Sequence, residues 1–466
     1  MAIRGEAASL LERLDRLPFS RWHRALLLVA FFGIVFDAAD FAIFGAALPT
    51  ISREFGLTPA QAGLLATLGL IGAFLGALFW GSISDYIGRR TSFQATIAIF
   101  AAFTGLVAAS WSVASLGFFR FVSNFGLGGE VPVSATLVAE FMPSRLRGRA
   151  TVNMAAGFPL GLVVAALLGI LIVPHYGWRT LYAIGIIPAM LLLFVRRHVP
   201  ESVRYLLSKG QVAAARRTVE HIEESALAGR RPAPAAPAAA ASTAALGAGA
   251  PRVTVLMLLT PDRLRRTILL WIVSACYLWA SNGILFMLPT ILTQRGLPLS
   301  QAIGVTLVQA IFGFFGYSAC GFLIDWLGRR PVLFLYFFVG AAFHLWFALA
   351  SSFWMWPAIA LVGWVNPGVF GGCSVYAAEL YPTEMRATAV GWFFGIGRIG
   401  SFLAPAVIGF MLSYGLGAYV LHTFALAYLI AAAALLGIGI ETKGLLLEKI
   451  TGDEPAAETG LAPGRA

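Results

Sequence analysis

The stretch Gly81-Ser82-Ile83-Ser84-Asp85-Tyr86-Ile87-Gly88-Arg89-Arg90 returns 240 positions later as Gly321-Phe322-Leu323-Ile324-Asp325-Trp326-Leu327-Gly328-Arg329-Arg330. Gly, Asp, Gly, Arg and Arg hold the same places in both copies, and each copy sits in a short polar gap between long apolar runs. Upstream, Leu48-Pro49-Thr50-Ile51, Gly56-Leu57 and Gln61-Ala62 reappear at the same offset as Leu288-Pro289-Thr290-Ile291, Gly296-Leu297 and Gln301-Ala302. Downstream, Glu140, Pro143 and Arg147 return as Glu379, Pro382 and Arg386, one residue out of step. A register held from residue 48 to 147 with one deletion makes the chain two copies of one half.

Composition places both halves in a bilayer. Hydrophobic residues are 59% of the chain and charged residues 12%, about half the charged share of a soluble globular protein. A helix needs roughly 20 apolar residues to cross the hydrocarbon. Twelve stretches are long enough, near 25 to 45, 61 to 83, 91 to 110, 113 to 139, 150 to 172, 179 to 197, 267 to 292, 302 to 327, 331 to 351, 354 to 381, 388 to 413 and 418 to 440. Lipid offers the backbone no hydrogen-bond partners, so these spans are helices and the fold class is all-α membrane protein, with two pseudo-symmetric six-helix halves. A membrane chain of two repeats is the pattern of a transporter.

The net charge of +11 could point to nucleic acid, but its distribution gives another cause. With both termini inside, 28 of the 33 Lys and Arg fall in cytoplasmic segments. That is the positive-inside rule, and no nucleic-acid partner is required. Cys276, Cys320 and Cys373 all lie within spans, which argues against disulfides and a metal site. The organisation read from the chain is a cytoplasmic amphipathic N-terminus (1–24), a first half (25–197), a cytoplasmic linker loop (198–266), a second half (267–440) and a cytoplasmic tail (441–466). The N-terminus carries Leu10, Leu11, Leu14 and Leu17 as an apolar stripe and leads into a retained first span. The linker opens with a charged helical stretch, Arg204 to Glu224, and continues through a flexible Ala/Pro tract at 228 to 251.

The repeated charges form one set of candidate residues. Asp85 with Arg89 and Arg90, Glu140 with Arg147, and their copies Asp325, Arg329, Arg330, Glu379 and Arg386 gather acids and bases at the cytoplasmic ends of helices. Salt bridges there would hold while that side is shut and break as it opens. The same charges could also serve only as helix-end anchors.

A second set lies inside the membrane, where Asp37 and Asp40 in the first span, Arg120 in the fourth and Arg398 in the eleventh are the ionisable residues read as deep. Each costs on the order of 3 kcal/mol on insertion scales, so such residues face a cavity and have partners. Asp37 and Asp40 are three apart and share a helix face, and Arg120 is the cation of the same half. A carboxylate that alternates between a proton and an arginine couples transport to protons; a static ion pair between two helices is the alternative. Arg398 stands among Trp392, Phe393 and Phe394, a setting suited to a planar carboxylate held by bidentate hydrogen bonds. Tyr277, Trp279, Asn282, Trp364, Tyr376 and Trp392 are the candidate walls.

The Gly81 to Arg90 signature, its copy, twelve helices and a long central loop resemble the major facilitator superfamily over nearly the whole chain. Pro200-Glu201-Ser202-Val203-Arg204, Glu441-Thr442-Lys443-Gly444 and Glu140-x-x-Pro143 are similar to motifs of its sugar-porter-like, metabolite:proton symporter branch. The resemblance implies transport by alternating access, with Asp40 and Arg120 at the places of that branch's first-helix aspartate and fourth-helix arginine. Its sugar-binding glutamines do not carry over. They fall on Cys276, Tyr277 and Ala155, the tenth-helix tryptophan falls on Ser374, and Asn282 alone remains. Asp37-Ala38-Ala39-Asp40 instead resembles the Asp-Gly-x-Asp motif of aromatic acid:proton symporters, with Ala38 in place of glycine, and Arg398-Ile399-Gly400 resembles their eleventh-helix pattern.

The sequence therefore leads to a multi-pass transporter of the plasma (bacterial inner) membrane that imports a small organic anion, an aromatic or pyridine carboxylate, with protons as the coupling ion. No cofactor, metal or enzyme activity is expected, and the state expected is a monomer. The rival expectations are a sugar or polyol symporter and a proton-coupled drug exporter.

Overall fold

The computed structural model describes residues 2–143, 146, 150, 154, 157–187, 199–227, 255–382 and 385–443. They are helical throughout apart from turns and short connections. The first half holds α1 (Ala2–Arg16), α2 (Arg21–Phe55), α3 (Pro59–Ile87), α4 (Arg89–Ala108), α5 (Val113–Phe141) and α6 (Gly157–Ala183). Two short helices follow, α7 (Val203–Ser208) and α8 (Val212–Leu227). Then come α9 (Pro261–Gln294), α10 (Leu299–Leu327), α11 (Arg329–Leu349), α12 (Met355–Glu379), α13 (Arg386–Ser413) and α14 (Gly417–Ile438). Among the described residues, ten helices are long and apolar enough to cross a membrane. Residues 188–198, most of the sixth expected span, lie outside the described residues.

The helices overrun the apolar stretches that announce them, because hydropathy marks only what the hydrocarbon requires and caps set the true ends. α2 begins at a capping box, in which Ser20 accepts from the His23 amide, and ends on Gly56 in the left-handed region. α3 starts on Thr58 with Pro59 in its first turn. The duplicated signature is a helix break one residue long: Gly88 (φ 101°) separates α3 from α4, and Gly328 (φ 107°) separates α10 from α11. α6 carries the fifth span and the start of the sixth across a kink at Gly177.

Two compact units result. The first comprises Met1–Ala250, Asn282–Ile311 and Phe402–Gly417; the second comprises Pro251–Ser281, Phe312–Ser401 and Ala418–Ala466. In the first unit, α3 and α5 approach until a Cβ on Gly72 or Gly76 would overlap the backbone of Phe121 or Phe125, the close approach that small residues permit in membranes. The same unit takes in ends of second-half helices. Phe286 packs edge-on to Phe41 at 5.7 Å, Thr67 Oγ1 donates to the Phe402 carbonyl at 2.8 Å, and the Ala60 amide donates to Ser413 Oγ at 2.9 Å. In the second unit α11 lies along α12, and Tyr428 Oη donates to Asn366 Oδ1 at 2.9 Å.

The apolar stripe of the N-terminus lies against protein. Leu10, Leu14 and Leu17 are buried in one cluster with Ala215, Val219 and Ile222 of α8 and with Phe141 and Met142. Arg13 reaches Glu223 with two hydrogen bonds of 3.0 and 2.6 Å. The charged stretch of the linker is therefore folded, split by Gly210 (φ 73°) into α7 and α8. Its Ala/Pro tract lies outside the described residues, and Arg263, Arg265 and Arg266 already belong to α9. Replacing Leu14 by Asp removes apolar burial worth about 1.5–3 kcal/mol and should release α1. Trypsin should then cut faster at Arg13 and Arg16 in the solubilised protein, and an unaltered cleavage rate would contradict this docking.

Candidate functional site

The first unit brings the expected intramembrane pair together. Arg120 Nη1 donates to Asp40 Oδ2 at 2.7 Å, and each side chain is 2% exposed. The guanidinium lies over the Phe44 ring, 4.5 Å from its centroid, and 5.8 Å from that of Tyr182. Asn124, one turn along α5, donates Nδ2 to the Arg120 carbonyl at 2.9 Å. Asp40 Oδ1, Arg120 Nε and Tyr182 Oη have no hydrogen-bond partner among the described residues. The pair is thus dry and only partly satisfied, and the interior strengthens its attraction while penalising either charge left alone.

Asp37 lies one turn before Asp40 and is also buried. A further buried acid meets the same face of α2 one turn before Asp37, at Gly33. Glu130 of α5 is 2% exposed and seats its carboxyl so close to Gly33 that a Cβ there would overlap Oε1. Four intramembrane charges were expected from the sequence; Glu130 is a fifth, within the span 113 to 139. Its signal is an acid inside an apolar helix, in Gly128-Gly129-Glu130.

The repeated charges are held by carboxylates from far along the chain. In the first unit the amides of Arg89 and Arg90 donate to Glu201 Oε1 at 2.8 and 3.1 Å. Arg89 also lies 3.6 Å from Glu140 and donates to Ser84 Oγ at 2.6 Å. In the second unit the amides of Arg329 and Arg330 donate to Glu441 at 2.9 and 3.0 Å, and the Arg329 side chain meets Glu379 at 3.0 Å. Glu201 and Glu441 stand 240 apart and each caps a helix N-terminus, where a carboxylate is favoured by the exposed amides and the dipole. Neither was expected to act so.

Several details differ from the acid–base pairs read from the sequence. Arg329 is also 3.3 Å from Asp325, whose side chain is 76% exposed, so the better-buried Glu379 is its main partner. Arg330 Nη2 donates to the Leu436 carbonyl. Arg386 Nε donates to the Ala378 carbonyl at 2.8 Å, so that contact anchors a helix end. The side chain of Asp85 and all of Arg147 lie outside the described residues.

In the second unit Arg398 is half-buried on α13. Trp392, one and a half turns earlier, packs against Trp271 with ring centroids 5.9 Å apart. Buried Tyr277 faces Phe370 at 6.2 Å, and Phe370 faces Phe394 at 5.4 Å, which gives an aromatic surface spanning α9, α12 and α13. Trp279 Nε1 donates to Thr423 Oγ1 at 3.4 Å. Trp364 is half-buried, its backbone against Gly316. Tyr376 does not join these walls: it is fully buried and its hydroxyl donates to the Ile440 carbonyl at 2.6 Å. Asn282 belongs to the first unit.

The sequence profile of the Major Facilitator Superfamily matches residues 30–405 and 270–460. The chain belongs to this superfamily. It is a transporter with the superfamily's twelve-helix fold, and not an enzyme. It is 32% identical to the niacin transporter NiaP of Acinetobacter baylyi, over 95% of this chain and 99% of that one. Identity to the benzoate transport protein of the same organism is 28%, over 86% of each. Among solved structures, the xylose transporter XylE from E. coli, in its partially occluded inward open conformation, superposes with a TM-score of 0.73 at 18% identity, covering 92% of this chain and all of the other. That likeness concerns the fold, and it agrees with a major facilitator member whose halves are duplicated.

Proposed function

We propose that this major facilitator protein imports an aromatic or pyridine monocarboxylate, nicotinate-like or benzoate-like, together with protons. The observation that carries the reading is the dry Asp40–Arg120 pair with Asp37 beside it. Asp40 and Arg120 face each other away from water, where a proton on the carboxyl takes away the charge that Arg120 otherwise compensates. Protonating Asp40 would weaken its hold on Arg120 and free α2 and α5 to shift; returning the proton would restore the pair. Relatives named for niacin and benzoate support a small aromatic acid as cargo, and the half-buried Arg398, one turn after Phe394 on α13, suits its carboxylate and ring. Both termini face the cytoplasm in this reading, the Lys and Arg distribution setting the orientation, and the protein acts as a monomer in the bacterial inner membrane.

Uptake of radiolabelled nicotinate, benzoate and a hexose into proteoliposomes tests it. Nicotinate or benzoate should accumulate with an inward proton gradient and stop doing so with a protonophore. A rate indifferent to the protonophore would sink the coupling, and competition by hexose alone would sink the substrate class. Arg398→Ala should raise the half-saturating carboxylate concentration at least about tenfold, the loss of a charge-assisted hydrogen bond; an unchanged value would place the anion elsewhere.

A further inference from the structure

Two faces of α13 have different surroundings. Phe393, Gly397 and Gly400 share one of them, at spacings of four and three, and it is packed against α9. Ser274 Oγ donates to the Phe393 carbonyl at 2.7 Å, and a Cβ on Gly397 or Gly400 would overlap Ser274 Oγ or the Ala275 carbonyl. Gly391, Phe394, Gly395 and Arg398 share the other face, again at helical spacings of three and four. There a Cβ on Gly391 or Gly395 would meet nothing within 4 Å.

The charge on this open face decides what lies beside it. Arg398 is ten residues into the span Thr388–Ser413, roughly 15 Å along the helix axis and so near the middle of the hydrocarbon. A guanidinium at that depth faces a polar cavity rather than lipid tails, and the residues sharing its face border that cavity. Phe370 of α12 stands at the edge of it, its ring 5.4 Å from that of Phe394. Tyr277 of α9 lies 6.2 Å from Phe370. Tyr277 is 6% exposed, whereas Phe370 is 41% exposed. Two neighbouring rings thus fix Phe370 while much of its own ring stays uncovered. A ring held in this way offers a π surface with little conformational freedom left to lose, which suits a second ring. Phe394 and Arg398 are one turn apart, about 6 Å along the axis, a separation that a single aromatic ring with its carboxylate can bridge.

We propose that Phe370 determines the specificity of the cargo site: the ring of the cargo stacks on its uncovered surface, with the carboxylate towards Arg398 and the ring edge along the open face at Gly395. The site then takes a flat ring acid in preference to a saturated one of the same size. The proposal rests on the aromatic-carboxylate reading above and adds to it the residue that recognises the ring.

The test measures two quantities in proteoliposomes: the half-saturating concentration of labelled nicotinate or benzoate, whichever wild type takes up, and the concentration of cyclohexanecarboxylate that halves that uptake. Their ratio is the preference for a flat ring, and in wild type it should clearly favour the aromatic acid. Phe370→Leu keeps the apolar bulk and loses the ring, so the preference should shrink about two- to tenfold, the contribution of an aromatic pair beyond its buried area. Phe370→Tyr should keep the wild-type preference. Gly395→Leu places a good helix former where nothing stands within 4 Å; it should fold normally and weaken both acids at least tenfold. A Phe370→Leu protein with the wild-type preference, or one weakened equally towards both acids as a packing role predicts, overturns the proposal and leaves the carboxylate reading standing. A wild type that takes up neither aromatic acid overturns both. Should Phe370→Leu fail to fold, wild-type affinities in Gly395→Leu overturn the proposal by themselves.

Discussion

Asp40→Asn should abolish concentrative uptake while the protein still folds. Asparagine has the shape of a protonated aspartate and can still accept from Arg120 across the 2.7 Å contact, but it cannot exchange a proton. One site in the cycle is then fixed, and no proton crosses with the substrate. With a gradient of one pH unit, accumulation should drop from about tenfold per coupled proton to no accumulation, because each pH unit supplies about 1.4 kcal/mol per proton. The measurement is the steady-state ratio of labelled nicotinate inside and outside proteoliposomes. Wild-type accumulation by the Asn variant would remove Asp40 from the coupling path and leave the pair as a strut between α2 and α5.

The largest effect on stability should come from Arg120→Met. Methionine keeps the apolar contact with Phe44 but strands the Asp40 carboxylate, 2% exposed, with no cation at its Oδ2. Removing one partner of a buried pair costs about 3–5 kcal/mol, mostly the desolvation of the charge left behind. Removing both charges should recover much of that cost, so the double variant Asp40→Asn/Arg120→Met should melt above Arg120→Met alone. Thermal unfolding of the four proteins in detergent closes the cycle. If the double variant is no more stable than the single one, the two side chains are not energetically linked.

How far the sequence could be read depended on the range of the interaction behind each feature. The 240-residue repeat, the spans and the Asp40–Arg120 pair are legible because they follow from local hydropathy and from the cost of a charge in lipid. Tyr376 was misplaced for a physical reason: α12 is apolar on nearly every side, so its sequence has no amphipathic phase to say which face looks inward. Glu201 and Glu441 were quoted as motif residues, yet their work is done on amides 112 positions away, a distance no local pattern encodes. Glu130 follows Gly128 and Gly129, which let α5 close on Ala73 and Trp80 of α3, and nothing local in the sequence says that the next side chain turns instead to Gly33 of α2. Leu10, Leu14 and Leu17 announced an amphipathic helix but could not say that α8 rather than lipid would cover it.

The caps on Arg89 and Arg329 bear on what was copied to make this chain. Each half sends the residue just after its sixth span back to its middle, Glu201 to the start of α4 and Glu441 to the start of α11. In connectivity terms each half is a loop tied shut by its own trailing end. A copy that stopped at the last membrane-crossing residue would leave its central hairpin untied. The duplicated module therefore ends at the knot rather than at the bilayer boundary, and a half cloned for separate study should run through Glu201 or Glu441.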